Sequence, residues 1–389
     1  MKKILALVLA LCMVFALCAC GQSEAPAATE APAEALAEAP AEAPAEETAD
    51  LMVAMVTDYG DITDQSFNQT TYEACKEYCE ANGLQFSYFK PASDSDEDRI
   101  AQIEAAIDEG YNVVVMPGFA FANAIKSTVD VYPEVTFIAL DVGAGDLGED
   151  YTVPANLYCA VYQEELCGYM AGYAAVKLGY KNLGFLGGMA VPAVVRYGYG
   201  FVQGADAAAA ELGLTDVTMN YAYGNQFFGD ADITAAMDTW YGAGTEIVFA
   251  CGGGIYTSAA EAAAKVDGKV IGVDVDQSAI IDGGYGEGMT VTSAMKGLAP
   301  TVKAQLAAVQ AGEFEGGVID TLGLISENPE ENFVQLPSTT LFAEGFTAED
   351  YAALVKAMFN GEITVSNDIT AAAADFATVI TVTDLGNLK

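Results

Sequence analysis

Strand-like and helix-like segments alternate almost without interruption from residue 51 onward. Apolar runs with strand character occupy residues 51–56, 85–90, 112–116 and 136–140. Helical periodicity fills the intervals at residues 67–82, 96–109 and 122–131. Ser66 can cap the first of these helices, and Gly83 ends it. Because strands joined through a helix pair in parallel, this order predicts an α/β fold with a parallel sheet covered by helices on both faces.

A second series of the same kind follows a looser, glycine-containing stretch at residues 143–154. Its strands are predicted at residues 182–186, 217–222, 246–250 and 270–273, and its helices at 193–212, 231–242 and 258–266. Residues 51–389 exceed the size to which a single core usually grows, so we expect two doubly wound lobes joined by a hinge. The expected boundaries are 51–160 for lobe 1, completed by about 278–310; 161–277 for lobe 2, completed by about 311–364; and 365–389 for a C-terminal extension.

The N-terminus has the pattern of a secretory signal. Two lysines precede an apolar run at residues 4–17, which is shorter than the roughly 20 residues that a spanning helix needs. The segment Leu17-Cys18-Ala19-Cys20-Gly21 resembles the bacterial lipobox. We therefore expect residues 1–19 to be a signal peptide and Cys20 to carry the lipid, with an ordinary signal peptide as the alternative. Cleavage before Cys18 would put Leu17 where a small residue is required.

Residues 20–50 consist almost entirely of Ala, Pro, Glu and Thr. Such a segment cannot bury a core and repels itself, so we expect an extended tether between the lipid and the folded part.

Charge and residue usage exclude several classes of function. The chain has 15 basic and 55 acidic residues, a net charge of −40, which disfavours nucleic acid and anionic lipid surfaces as partners. It contains no histidine, the commonest general base and metal ligand. An odd number of cysteines follows Cys20, and we expect them to be small buried apolar residues with no disulfide framework. They are Cys75, Cys79, Cys159, Cys167 and Cys251.

Residues directly after the predicted strands are rich in polar and aromatic side chains. Ligands of open parallel sheets bind beyond the carboxyl ends of the strands, so these segments form the candidate site. They are residues 57–69, 117–121 and 141 in the first series, and 224–230, 251–254, 274–277 and 292–296 in the second. Carboxylates can accept hydroxyl protons in charge-assisted bonds, and aromatic rings can stack on a planar ligand. The acidic character of the segments disfavours a phosphate.

Several of these segments resemble, in order and spacing, the basic membrane lipoprotein family, which includes PnrA-like purine nucleoside-binding lipoproteins of ABC importers. The similar motifs are Thr57-Asp58-Tyr59-Gly60, Asp64 with Ser66-Phe67-Asn68, Gly118-Phe119, Gly187-Gly188-Met189, Gly272-Val273-Asp274 with Asp276-Gln277, and Thr292-Ser293 with Lys296. The resemblance covers residues 51 to about 363. It implies a type I periplasmic-binding-protein fold that closes on a purine nucleoside and delivers it to ABC permease and ATPase subunits. It further implies an extracytoplasmic, lipid-anchored monomer without a cofactor or catalytic activity.

The resemblance also implies roles for individual residues. Phe67 and one of Phe227 and Phe228 would sandwich the purine, and Phe228 is favoured because an aspartate follows two residues later. Asp58 and Asp64 would meet the edge of the base. The other implied ligand-binding residues are Asn68 near the base, Gly118, and the ribose-binding set Asp141, Gly254, Asp274 and Lys296. We expect Tyr59, Tyr197 and Tyr199 to be packing residues and Asp276 to bond nearby amides.

Three other functions fit parts of the sequence: binding of a sugar or furanose, hydrolysis of a nucleoside by clustered aspartates, and surface sensing. Two motifs are set aside. Residues 143–148 fit the dinucleotide pattern Gly-x-Gly-x-x-Gly, but no helix is predicted after them and Asp146 would repel a pyrophosphate. Asp274-Val275-Asp276 lacks further ligands at the spacing of a calcium loop.

Overall fold

The computed structural model describes residues 51–148 and 150–389, so the expected signal peptide, lipidated Cys20 and tether lie outside the described residues. The strands in chain order are β1 Met52–Val56, β2 Gln85–Phe89, β3 Val113–Pro117, β4 Thr136–Leu140, β5 Leu157–Tyr162, β6 Asn182–Gly187, β7 Thr218–Tyr223, β8 Ile247–Cys251, β9 Lys269–Asp274, β10 Thr290–Lys296, β11 Val318–Leu322, β12 Val334–Gln335 and β13 Thr381–Asn387.

The helices in chain order are α1 Phe67–Asn82, α2 Asp96–Asp108, α3 Ala122–Thr128, α4 Ala144–Leu147, α5 Glu164–Lys177, α6 Pro192–Leu212, α7 Ala231–Gly242, α8 Tyr256–Ala263, α9 Ser278–Tyr285, α10 Leu298–Ala311 and α11 Ala348–Phe359. Within the described residues, none of them is both long and apolar enough to cross a membrane.

The strands form two sheets, which confirms the predicted α/β class. The first has the order β11-β5-β4-β3-β1-β2 and the second the order β12-β10-β9-β8-β6-β7-β13. Strands within each sheet pair in parallel except β10 and β12, which are antiparallel. Every residue of β3 and β8 is buried, as expected for strands that helices cover on both faces.

Local signals set the bounds of α1. Gly83 ends the helix in the left-handed conformation, with φ of 69°, as predicted. Ser66 occupies the N-cap position, but the prediction that its side chain caps the helix is wrong, because its hydroxyl donates to Asp274 at 2.6 Å. Asp64 accepts the free backbone N–H groups instead, from Ser66, Asn68 and Gln69 at 2.9–3.0 Å.

The chain crosses between the sheets after β5, after β10 and between β11 and β12. These crossings correct the expected assignment of residues 278–310 to lobe 1 and of residues 311–364 to lobe 2. Strand β10, expected in lobe 1, pairs with β9 in the second sheet, and β11, expected in lobe 2, forms an edge of the first sheet. Hydrophobic periodicity identifies a strand but carries no information about which sheet edge is free to receive it.

Helix α5 was not predicted, and its sequence explains why. It is apolar nearly all round and carries no amphipathic stripe. Glycines let it lie directly against α6: a Cβ at Gly168 would lie 2.2 Å from the Tyr197 carbonyl oxygen, and one at Gly172 would lie 2.1 Å from that of Phe201. Alanine at either position would therefore force the two helices apart.

Two smaller expectations have clear outcomes. The cysteines named above are free thiols and buried, as predicted. As expected, no helix follows the Gly143–Gly148 motif among the described residues before β5, although the short helix α4 lies within the motif. The carboxylate of Asp146 accepts the Gly143 backbone N–H at 2.9 Å, so this helix turn is capped by its own acid.

Candidate functional site

A cavity of about 640 Å³ opens at the carboxyl ends of strands from both sheets. Ligand sites of drug-sized molecules occupy roughly 300–1,000 Å³. All the residues predicted to bind a ligand line this cavity: Asp58, Asp64, Phe67, Asn68, Gly118, Asp141, Phe228, Gly254, Asp274 and Lys296. The strand-end positions thus converge on one site.

The buried ammonium of Lys296 forms the charged floor of the cavity. Its Nζ lies 2.5 Å from Asp141 Oδ2 and 3.6 Å from both Asp274 Oδ1 and Glu164 Oε1. Arg196 donates from Nε to the other oxygen of Glu164 at 2.7 Å. Burial alone would lower the pKa of Lys296, but the attraction of the three carboxylates outweighs it and raises that pKa above its usual range. The lysine therefore stays charged at neutral pH.

Asp141 and Asp274 occupy equivalent places in the two sheets, Asp141 directly after β4 and Asp274 as the last residue of β9. Both have left-handed backbones, with φ of 57° and 64°. This conformation is uncommon for residues other than glycine and is concentrated at functional sites. Burial raises the pKa of Asp141 to about 6, although Lys296 opposes that rise.

A second polar corner forms around Asp58. Its Oδ1 accepts the backbone N–H groups of Tyr59 at 2.7 Å and Gly60 at 2.6 Å, while burial raises its pKa. Gly118 has φ of 120°, and a Cβ there would lie 3.4 Å from Asp58 Oδ2. Neighbouring Asn68 has a buried Oδ1 with no hydrogen-bond partner among the described residues. Such an acceptor is available to an N–H or O–H donor of a ligand.

Asp141 offers a similar acceptor, because its Oδ1 is buried without a hydrogen-bond partner in the described part of the chain. Asp64 differs. Its carboxylate lines the cavity, but its oxygens already accept the backbone N–H groups at the start of α1. Burial raises its pKa.

The aromatic rings of the cavity differ in exposure. Phe67 is half-buried, with its ring centre 4.7 Å from Lys296 Nζ. Phe228 is 56% exposed, whereas Phe227 is half-buried and packs close to Gly188, where a Cβ would lie 2.5 Å from its ring. A free aromatic face is what a stacking ligand requires, and Phe228 has one.

Some residues assigned to packing line the cavity. Tyr59 and Tyr197 both do so, and the Tyr197 hydroxyl donates to Asp274 Oδ1 at 3.4 Å. Tyr199 does not line it, and donates to the Ala371 carbonyl at 2.7 Å. Asp276 lies outside the cavity lining and accepts from the Ser278 amide and the Thr339 hydroxyl, which agrees with its expected structural role.

Sequence reasoning missed Glu164, Arg196 and Ile369. Glu164 is the first residue of the unpredicted α5, so nothing marked it as part of a site. Arg196 is the only arginine or lysine in α6, and an isolated cation within an apolar helix was the available signal. Ile369 comes from the C-terminal extension, for which no fold was predicted.

Bonds between the two halves of the site cross the cleft directly. Besides the Ser66–Asp274 bond, Gln277 Nε2 donates to the Gln65 carbonyl at 3.1 Å. The side-chain oxygen of Gln277 accepts the Val273 amide at 2.9 Å, which fixes its orientation. The first helix of one half and the end of β9 in the other are therefore held against each other.

The balance of charge in the cavity lining disfavours an anionic ligand. The lining contains more acids than bases: Asp58, Asp61, Asp64, Asp141, Asp146 and Asp274 against Lys90, Arg196 and Lys296. Each of these bases already contacts a carboxylate, Lys90 with Asp61 at 3.3 Å and the other two in the floor. A phosphate would find no uncommitted cation among these lining residues, so the arrangement suits a neutral ligand rich in hydrogen-bond donors.

Glu165, beside the floor, makes a pH-dependent contribution to stability. It is 2% exposed, and burial raises its pKa from 4.5 to about 7. A raised carboxyl pKa stabilises the fold at low pH, and that stabilisation is lost as the pH rises through the folded-state value.

We therefore expect the stability of Glu165→Gln relative to the unmodified protein to increase with pH. The difference in unfolding free energy should be about 3 kcal/mol larger at pH 7 than at pH 4.5. Urea unfolding across this range measures the difference. Glu349→Gln, at an exposed position in the first turn of α11, is the control and should show no comparable trend. Parallel pH curves for Glu165→Gln and the unmodified protein would contradict the expectation.

Comparison with known proteins gives a family match and several relatives. Residues 51–335 match the family Bmp, described as ABC transporter substrate-binding protein PnrA-like. The ABC transporter nucleoside-binding protein BmpA of Lactococcus lactis subsp. cremoris is 29% identical over 238 residues, 58% of this chain and 64% of that protein. Basic membrane protein A1 of Borrelia garinii is 25% identical over 226 residues, 57% of this chain and 63% of that protein. The aligned part thus spans less than two thirds of either relative.

Solved structures establish the fold. An ABC transporter solute-binding protein from Conexibacter woesei superposes with a TM-score of 0.61 at 21% identity, covering 82% of this chain and 99% of that one. One from Aeropyrum pernix gives 0.62 at 21% identity, covering 84% and 90%. The chain therefore has the type I periplasmic-binding-protein fold that the resemblance implied.

Proposed function

Because this chain belongs to the Bmp family of PnrA-like ABC transporter substrate-binding proteins, we propose that it binds a purine nucleoside in the cavity between its sheets. One observation carries the proposal: the same cavity combines an exposed aromatic ring, Phe228, with buried oxygen atoms of Asn68 and Asp141 that have no hydrogen-bond partner in the described part of the chain. A flat base and a donor-rich ribose match these two features.

The ribose would lie against the charged floor. Asp141 and Asp274 are positioned to accept hydroxyl protons in charge-assisted bonds, and Lys296 can donate to a hydroxyl oxygen. Gly254 lines the same cavity without a side chain, so backbone can approach the sugar closely. The floor would disfavour a nucleotide, because its cations are already paired with carboxylates.

The base would lie between Phe67 and Phe228, with its edge at Asp58 and Asn68. Stacking on an aromatic side chain contributes about 1–3 kcal/mol per base. Ring N–H and amino groups of a purine can donate to Asp58 and to the unpaired Asn68 oxygen. Gly118 leaves the room that brings Asp58 to the cavity wall. Asp64 would act indirectly, because its carboxylate accepts the backbone N–H groups at the start of α1 and so positions Phe67 and Asn68.

The wider role follows from the family. We propose that the protein acts outside the cytoplasm as a monomer, anchored through lipidated Cys20 and the tether at residues 20–50. The lobes would rotate together over the nucleoside, and the closed form would dock on an ABC permease that an ATPase drives. The relative named as nucleoside-binding supports this ligand class. No catalytic residue is proposed.

Calorimetric titration with inosine, adenosine, guanosine, cytidine, ribose and adenine tests the ligand class. We expect one-site binding of the purine nucleosides and much weaker binding of cytidine, ribose and free adenine. Binding of ribose or another sugar without binding of any nucleoside would change the proposed ligand from a nucleoside to a sugar. Chromatography of the titrated sample detects any free base released from inosine, and such release would instead identify a hydrolase.

The neighbouring phenylalanines provide a matched test of the stacking role. We expect Phe228→Ala to weaken nucleoside binding about 5- to 150-fold, the equivalent of about 1–3 kcal/mol of stacking. Phe227→Ala should mainly lower the melting temperature, because that ring is packed against the core. Calorimetry and thermal unfolding of both variants measure the two effects. An affinity loss confined to Phe227→Ala would assign the stacking role to Phe227.

A further inference from the structure

The C-terminal segment, residues 366–389, extends beyond the residues that match the family and is bound firmly to the second lobe. Its last strand, β13, pairs in parallel with β7 at the edge of the second sheet. Asp206 of α6 accepts the backbone N–H groups of Thr378, Val379 and Ile380 at 2.7–3.0 Å. These bonds attach the C-terminal segment to one face of α6.

The same face of α6 fixes the start of the segment. Gln203 bonds both backbone groups of Ser366, donating to its carbonyl at 3.0 Å and accepting its N–H at 2.8 Å. One turn earlier in α6, Tyr199 donates to the Ala371 carbonyl at 2.7 Å. Residues 366–371 are therefore held at both ends as they pass the N-terminal half of α6.

Between these anchors, Ile369 lines the ligand cavity. The turn that presents it is closed by Asp368, whose Oδ1 accepts the backbone N–H of Thr370 at 2.9 Å and its hydroxyl at 2.6 Å. Ile369 is 40% exposed, and the start of α6 supplies further apolar lining at residues 191–194. A large apolar side chain that is exposed to the cavity has apolar surface that a ligand can cover.

The last residue of the segment contacts the part of the site that carries Phe228. Lys389 Nζ pairs with Asp230 Oδ2, and Asp230 caps α7 two residues after Phe228. Gln226 donates to that same carboxylate oxygen at 3.0 Å and to the Phe228 carbonyl at 2.8 Å. The segment thus contacts the cavity at Ile369 and the loop that carries the exposed aromatic ring.

We propose that the C-terminal segment forms one wall of the binding site and that Ile369 contacts the bound ligand. Ile369 supplies apolar contact that shields the ligand from water and disfavours a charged group at that wall. The nature of the ligand rests on the proposed function, whereas the position of the wall rests on the geometry of the segment. The binding site of this chain therefore includes residues beyond those of the family match.

Two substitutions at one position test the wall. We expect Ile369→Ala to raise the Kd about 3- to 10-fold. This is the loss of affinity expected when a ligand no longer buries the exposed part of an isoleucine side chain. Ile369→Asp should raise it further. Leu385→Ala and Leu385→Asp are matched controls, since Leu385 lies in the same segment, is 45% exposed and does not line the cavity. Calorimetry with the tightest-binding nucleoside measures all four, and unchanged affinity in both Ile369 variants would overturn the proposal.

Thiol labelling gives an independent readout. The cysteines in the described residues are buried, so Ile369→Cys and Leu385→Cys each add an accessible thiol that peptide mass spectrometry can follow. Saturating nucleoside should slow modification at position 369 and leave position 385 unchanged; equal rates at 369 with and without ligand would refute the wall. If the unmodified protein binds only a sugar, the nucleoside proposal fails, and the same variants test the wall with that sugar.

Discussion

Lys296→Met is expected to lower the free energy of unfolding by about 3–5 kcal/mol at pH 7, the usual effect of removing one partner from a buried ion pair. The substitution removes the cation that Asp141, Glu164 and Asp274 share, and among the described residues Arg196 then forms an ion pair with Glu164. Methionine keeps the apolar stem, so the effect isolates the charge. Urea unfolding monitored by circular dichroism measures it.

The control is Lys265→Met, which removes a surface pair with Asp238 whose side chains are nearly half exposed. Exposed pairs of this kind contribute about 0–1 kcal/mol. The loss in Lys296→Met should shrink as the pH falls, because Lys296 opposes the raised pKa of Asp141 and its removal raises that pKa further. A loss near that of the control, or one independent of pH, would show that the floor is not held together by charge.

Asp274→Asn is expected to weaken nucleoside binding about 100-fold or more. Charge-assisted hydrogen bonds contribute about 1.5–3 kcal/mol each, and the substitution replaces a carboxylate that we propose accepts ribose hydroxyls. The same carboxylate accepts from Ser66 across the cleft and lies beside Lys296, so its loss also weakens the contacts between the two halves of the site. Calorimetry with the preferred nucleoside gives the affinity.

Asp276→Asn is the matched control, because it alters the second acid of the same motif, whose carboxylate bonds Ser278 and Thr339 outside the cavity lining. We expect its affinity to stay within a few-fold of the unmodified protein. Thermal unfolding of both variants separates binding from folding. Comparable affinity losses in the two variants would mean that the motif acts through its shape and not through Asp274.

The sequence predicted the elements whose residues carry a periodic pattern. Helix α1 was predicted with its observed bounds, because the left-handed Gly83 terminates an amphipathic run. Helix α5 was missed because burial on nearly all sides removes the pattern that prediction depends on. The assignment of β10 and β11 to lobes failed because it depends on which sheet edges are open, which is a property of the assembled fold.

The residues that line the cavity could be predicted as a group because many of them follow strands directly. Parallel strands of one sheet end at the same edge, which places Asp58 and Asp141 at one edge of the first sheet and Asp274 at the corresponding edge of the second. The roles of Ser66 and Asp64 at the start of α1 could not be distinguished, because both residue types cap helices and only the cleft decides which one does. Glu164 and Ile369 reach the site from elements that the sequence did not define.

Lys296 lies one residue before the chain crosses to α10, and Glu164 begins the helix that follows the earlier crossing after β5. In the proposed closure the lobes would turn about these crossings, so the contact between the two residues would lie close to the axis. A rotation displaces an atom in proportion to its distance from the axis, so the floor would keep its spacing while the exposed rim at Phe228 and Ile369 would move. The proposed nucleoside would then meet a pivot that is already assembled, and we expect substitutions at the rim to act chiefly on its dissociation rate.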